Sequence, residues 1–237
     1  MLDHVIDYYV DNTRIPPLYE QTGDAASDRL AFFHILERLK TQKRTGWVDN
    51  NIKGPESISD HMYRMAVLSM CTSDEKLDIS KCVMMSIVHD LAEAQVGDIT
   101  PREGFSKSEK NRLESATMHN FVHDMLHYSS AAKRIEALWL EYEEGRTAEA
   151  KFVKDLDRFE MACQGMRTYP CITDIWLKYQ ALEYERRNEE KDLQSFFDSS
   201  LPFIRHPEVQ GWGKDLLNER NGGSSSGSKA DSSQDTT

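Results

Sequence analysis

Apolar residues in this chain recur almost everywhere at helical spacing, and that periodicity excludes most folds before any motif is considered. From 59 to 71, Met62, Met65, Ala66, Ser69 and Met70 form one stripe. From 80 to 95, Val83, Met84, Ile87, Val88 and Leu91 form another, stopped by Gly97. Leu30, Phe33, Leu36 and Leu39 follow Ser27-Asp28, a helix start signal. Ser106 and Glu109 make a capping box opening a helix that runs to 127. Further helices are expected over 130–144, with Ile135, Leu138 and Trp139 inward, and over 147–166, with Phe152, Val153, Leu156, Phe159 and Glu160 inward. Others are expected over 172–187, 193–199 and 207–220. No Asn-Gly or Asp-Gly pair joins two alternating runs, and β-branched clusters are absent, so the expected class is all-α.

Of the 237 residues, 221–237 hold no aromatic or large aliphatic side chain. Such a stretch cannot offset its ordering entropy by burial, so a disordered tail is expected. Residues 1–26 read as an N-terminal extension and 27–220 as a single compact helical bundle. The long irregular stretch is 45–57, TGWVDNNIKGPES, a loop of the length that often carries function. Twenty-nine Lys and Arg against forty Asp and Glu leave a net charge of −11, which excludes the basic footprint of a nucleic-acid-polymer binder. Cysteines 71, 82, 163 and 171 match neither a zinc nor a disulfide spacing, and reduced thiols in the cytoplasm, with nuclear access open, are expected. No apolar run is long enough for a membrane span, and Asp3, Asp7 and Asp11 spoil a secretory leader.

Ionisable groups on apolar helix faces are the candidates for chemistry. His61 opens the 59–71 stripe, and His89-Asp90 follows Ile87 and Val88 directly. Glu93 lies one turn beyond both, Asp98 follows Gly97, and Asp157 sits between Leu156 and Phe159. Buried aspartates are costly unless paired or metal-bound. Two imidazoles and two carboxylates suit one divalent cation, with Mn, Co, Fe, Zn and Mg all compatible. His89 and Asp90 stand about 100° apart around a helix, so both reach one ion only over their shared edge.

The motif H…HD…D, here His61, His89-Asp90 and Asp157, resembles the HD superfamily of metal-dependent phosphohydrolases. RTGWVDNNIKGPESISDHMYRMAVLSM, VHDLAEAQVGDITP and AEAKFVKDLDRFEM resemble the HD domain-containing protein 2 family, relatives of bacterial 5′-deoxynucleotidases, over residues 30–219. The resemblance implies an HD-domain fold, metal ligation by His61, His89, Asp90 and Asp157, catalysis by Glu93 and Asp98, substrate binding by Trp47, and a homodimer. Bacterial members carry Arg directly before that Trp; here Gly46 stands there, and Arg44 is the nearest arginine to serve as the phosphate clamp. The implied activity is hydrolysis of deoxynucleoside 5′-monophosphates. Glu93 is expected to orient or deprotonate water, Asp98 to protonate the leaving oxygen or hold the sugar, and Arg44 or Lys53 to stabilise phosphoryl charge. The alternatives are an HD-type phosphodiesterase or broader phosphohydrolase, with His119 and His123 offering a second metal site, and a non-catalytic metal-binding scaffold.

Overall fold

A computed structural model describes residues 15–164 and 193–220. The expected helix over 172–187, Cys171 and the tail over 221–237 lie outside them. Among the described residues there is no strand, only an isolated antiparallel bridge between Lys43 and Ser57. The helices are α1 (Ala25–Ile35), α2 (Glu37–Thr41), α3 (Thr45–Asp49), α4 (Ile58–Ser69), α5 (Ile79–Val88), α6 (Glu93–Val96), α7 (Lys107–His119), α8 (Ser130–Glu144), α9 (Ala148–Gln164), α10 (Gln194–Ser200) and α11 (Pro207–Arg220). A π-helical turn, Asn120–Met125, extends α7.

The helix starts follow local chemistry. Ser57 and Asp60 form a capping box on α4, Ser106 and Glu109 form one on α7, and Asp78 caps α5 by accepting from the Lys81 N–H. Gly97 and Gly145 hold positive φ after α6 and α8, where a side chain would strain the turn. Helices α4, α5 and α9 pack on one another, with α8 against α5 and α9 and with α10 and α11 against α9. Ile58, Met65, Cys82, Met85, Val153 and Leu156 fill the centre.

Two helix faces are turned relative to the expected phase. On α5 the buried positions are Cys82, Met85, Ser86 and Val88, while Met84 and Ile87 are exposed. The inward face carries polar atoms that apolar counting overlooks: the Ser86 hydroxyl bonds that of Ser69 at 3.0 Å across the α4–α5 contact. On α1, Phe32 is buried and Phe33 and Leu30 are exposed. Asp28 is drawn inward by Tyr19, Thr22 and His127, all within 2.8 Å, and Phe32 one turn later follows it.

The expected 80–95 helix is broken. It ends at Val88, passes through a turn over 89–92 and resumes as α6. The 45–57 stretch is not wholly irregular, since it opens with α3. Its base is closed by the Arg44 N–H on the Glu56 carbonyl at 3.1 Å and the Ile58 N–H on the Gln42 carbonyl at 3.2 Å. Ahead of α1, the Gln95 amide donates to the carbonyls of Pro16 and Pro17 at 2.8 and 3.0 Å, so this part of the expected extension is tied to the helix bearing Glu93.

Candidate active site

Two helices and a turn bring the predicted metal ligands together. α4 presents His61 one turn after its capping box, the turn after α5 presents His89 and Asp90, and α9 presents Asp157. His61 Nε2 lies 3.3 Å from Asp157 Oδ1 and 3.8 Å from Asp90 Oδ2, and His89 Nε2 lies 3.1 Å from Asp90 Oδ2. Ligand atoms of His61, His89 and Asp157 fall within 4.8 Å of one another. The break in the helix at Val88 lets adjacent side chains converge: Asp90 turns back onto His89 instead of diverging.

Both imidazoles are held from behind. His61 Nδ1 is 2.5 Å from Glu160 Oε2, and His89 Nδ1 is 2.9 Å from the Ser86 carbonyl, which can only accept. Both Nε2 atoms are buried and make no hydrogen bond among the described residues. Two oriented nitrogens beside carboxylate oxygens are what a divalent cation requires, and engagement of Nδ1 is how metal-binding histidines are usually aimed.

The electrostatics are those of a concentrated acidic pocket. Burial and Arg44 push the His61 imidazole down, but Glu160 and Asp157 outweigh them and carry it up to about 9. Burial raises the Asp90 carboxyl, yet His89, Arg44 and His61 hold it well below the usual carboxylate range. Asp157 is likewise raised by burial and held low by His61 and His89. Glu93 goes the other way: burial, then Asp90 and Asp98, push it well above its ordinary value. Its Oε2 is buried without a hydrogen bond, and its Oε1 is 3.9 Å from Lys110 Nζ.

Arg44 reaches into this pocket. Its Nη1 donates to Asp90 Oδ2 at 3.3 Å and lies 3.9 Å from Asp98 Oδ1. Asp98 Oδ2 accepts the Thr45 N–H at 2.7 Å, which ties the start of α3 to the turn after α6. Beside Gly46 stands Phe196 of α10, 3.7 Å from where a Cβ would be. Trp47 points inward: it is 2 % exposed, stacks on Phe196 at 4.3 Å, and donates from Nε1 to Glu56 at 2.9 Å. Lys53 is exposed, and the rings of His119 and His123 stack at 4.2 Å.

Sequence reading missed four neighbours. The Tyr142 hydroxyl donates to Asp157 Oδ2 at 3.2 Å, and its ring centre is 5.0 Å from that of His89. Arg64 Nε donates to Glu160 Oε1 at 2.6 Å, and Lys110 donates to the Ile99 carbonyl at 3.1 Å. Glu160 had a legible signal, an inward carboxylate one turn after Asp157. Tyr142, Arg64 and Lys110 had none, since such residues commonly sit at helix surfaces.

Comparison with known proteins follows the same lines. A family model described as HD domain matches residues 36–191. The chain is 45% identical over 192 residues to 5′-deoxynucleotidase hdd1 of Schizosaccharomyces pombe, covering 80% of this chain and 88% of that one. It is 40% identical over 188 residues to human 5′-deoxynucleotidase HDDC2, covering 79% and 84%. Among solved structures, HD domain-containing protein YGK1 of Saccharomyces cerevisiae superposes with a TM-score of 0.61 at 29% identity, covering 85% of this chain and 90% of that one.

Proposed function

This chain belongs to the HD domain family, and we propose that it is a metal-dependent 5′-deoxynucleotidase, hydrolysing deoxynucleoside 5′-monophosphates to deoxynucleosides and phosphate. The observation that carries the reading is the pair of buried, unbonded Nε2 atoms of His61 and His89 beside Asp90 and Asp157. His61, His89, Asp90 and Asp157 hold the cation. A divalent ion supplies Lewis acidity toward phosphoryl oxygens and toward water at neutral pH.

The other residues act on the substrate and on protons. Arg44, which burial disfavours but Asp98, Asp90 and Glu93 hold firmly charged, neutralises the phosphoryl oxygens. It does so from three positions before Trp47, in place of an arginine at 46. Glu93, one turn beyond the His89-Asp90 pair and with its Oε2 buried and unbonded, orients the attacking water and takes its proton. Asp98 protonates the leaving 5′-oxygen or holds the sugar. Trp47 serves substrate binding through the loop it anchors, since its indole is enclosed by Phe196 and Glu56.

We also infer a homodimer, supported by exposed Tyr63 and Val67 on α4 and Met70 at its C-terminal cap, spaced at i, i+4 and i+7. Cytoplasmic residence is supported by the free thiols of Cys71 and Cys82. Among the described residues no helix is long and apolar enough to cross a membrane.

The test is phosphate release from matched deoxy- and ribonucleoside monophosphates by metal-stripped protein resupplied with single divalent ions. Metal-dependent turnover favouring deoxy substrates is expected. Equal rates on both sugars favour a broader phosphohydrolase, and no turnover on any phosphoester leaves a scaffold.

A further inference from the structure

Glu160 is fully buried on α9, one turn after Asp157. Its two oxygens are divided. Oε2 takes His61 Nδ1 at 2.5 Å, and Oε1 takes the Arg64 guanidinium through Nε at 2.6 Å and through Nη2. We propose that Glu160 is a positioning residue of the active site: its carboxylate fixes the ring plane and tautomer of His61, so that Nε2 is presented to the cation, while Arg64 keeps that carboxylate in place. The inference rests on reading His61, His89, Asp90 and Asp157 as a cation site.

Glu56, His61 and Glu160 also bring potential ligand atoms within 4.8 Å of one another. That group is not a second cation site, because a cation already occupies it: Arg64 Nη2 pairs with Glu160 and lies 3.6 Å from Glu56 Oε2. Glu56 in turn accepts the Trp47 indole N–H at 2.9 Å. A continuous chain therefore runs from the 44–57 loop through Glu56, Arg64 and Glu160 to His61.

Folding alone does not call for this arrangement. Buried ion pairs contribute little net stability, because desolvation offsets their attraction, and apolar residues of similar volume usually serve as well. Orientation of a ligand does call for it. A carboxylate on Nδ1 raises the basicity of the opposite nitrogen and stops the ring from turning, and losing such a partner typically lowers metal affinity ~10–100-fold.

The experiment titrates Mn²⁺ into metal-stripped full-length wild type and Glu160→Gln, with helical content and thermal midpoint measured alongside. Glutamine keeps the size and can still accept from Nδ1, but it brings no charge. The expected result is intact helicity with Mn²⁺ affinity reduced ~10–100-fold. Unchanged affinity, even with a lowered midpoint, would make Glu160 a purely structural residue and overturn the proposal. Because the variant could misfold, a second measurement uses the wild type. In Zn²⁺-loaded protein with ¹⁵N-labelled histidine, the His61 proton should sit on Nδ1, strongly deshielded by the carboxylate. A proton on Nε2 overturns the proposal while leaving metal binding itself intact. Wild type that takes up neither ion removes the cation reading, and the inference with it.

Discussion

Asp157 lies far in sequence from the His89-Asp90 pair, yet its Oδ1 faces His61 Nε2 at 3.3 Å and its Oδ2 is held by Tyr142. An Asp157→Ala chain should stay helical, bind less metal and lose the rise in thermal midpoint that metal confers on wild type, because a ligand that binds only the native state stabilises it. Equal metal content in the two proteins would strike Asp157 from the ligand set. Glu93 is separable from the ligands in the same way. Glu93→Gln keeps size and hydrogen bonding but cannot take a proton, so turnover should fall ~10²–10⁴-fold with metal retained. Phosphate release and metal content measured together decide this, and near wild-type turnover would reduce Glu93 to a structural neighbour.

At the scale of elements, the 44–57 segment is an anchored loop whose first turn is α3, and Trp47 is its anchor. The indole is buried against Phe196 of α10 and bonded to Glu56, so Trp47→Ala should cost about 3–5 kcal/mol, the usual range for a buried large aromatic cut to alanine. Urea unfolding reads that cost. The same change loosens Arg44 and the loop wall, so the ratio of specificity constants for deoxy over ribo substrates should narrow. An unchanged ratio with full activity would move sugar recognition to another element. The indole's inward orientation was not legible in the sequence, because its partner Phe196 lies 149 residues away. The break between α5 and α6 was equally hidden, since residues 80–95 contain neither Gly nor Pro.

For the whole molecule, the pocket couples stability to pH and metal. The His61 imidazole is carried from 6.5 to about 9 in the metal-free fold. A raised folded-state value means stability fully present below pH 6.5 and progressively lost as pH rises through about 9. Metal needs the neutral imidazole, so its stabilisation grows over the same interval. Scanning calorimetry at pH 6.5 and 9 should therefore show the EDTA-treated chain losing midpoint while the Mn²⁺-supplied chain holds or gains. Identical slopes in both conditions would mean that metal and proton do not compete at His61.

The sequence by itself determined the all-helical class, the helix start at Ser106, the stop at Gly97, and the metal-ligand candidates. Each of these is a local pattern, a cap, a φ requirement or an ionisable group on an apolar stripe, and it can be read within one or two turns of chain. The tertiary structure alone decided which way Trp47 faces, which residues back the histidines, and that Cys82, Met85 and Ser86, rather than Met84 and Ile87, face the core. Those outcomes depend on groups brought together across α4, α5, α9 and α10. A buried carboxylate such as Glu160 is tolerable only where the fold delivers Arg64 and His61 to it, and no spacing along the chain encodes that meeting.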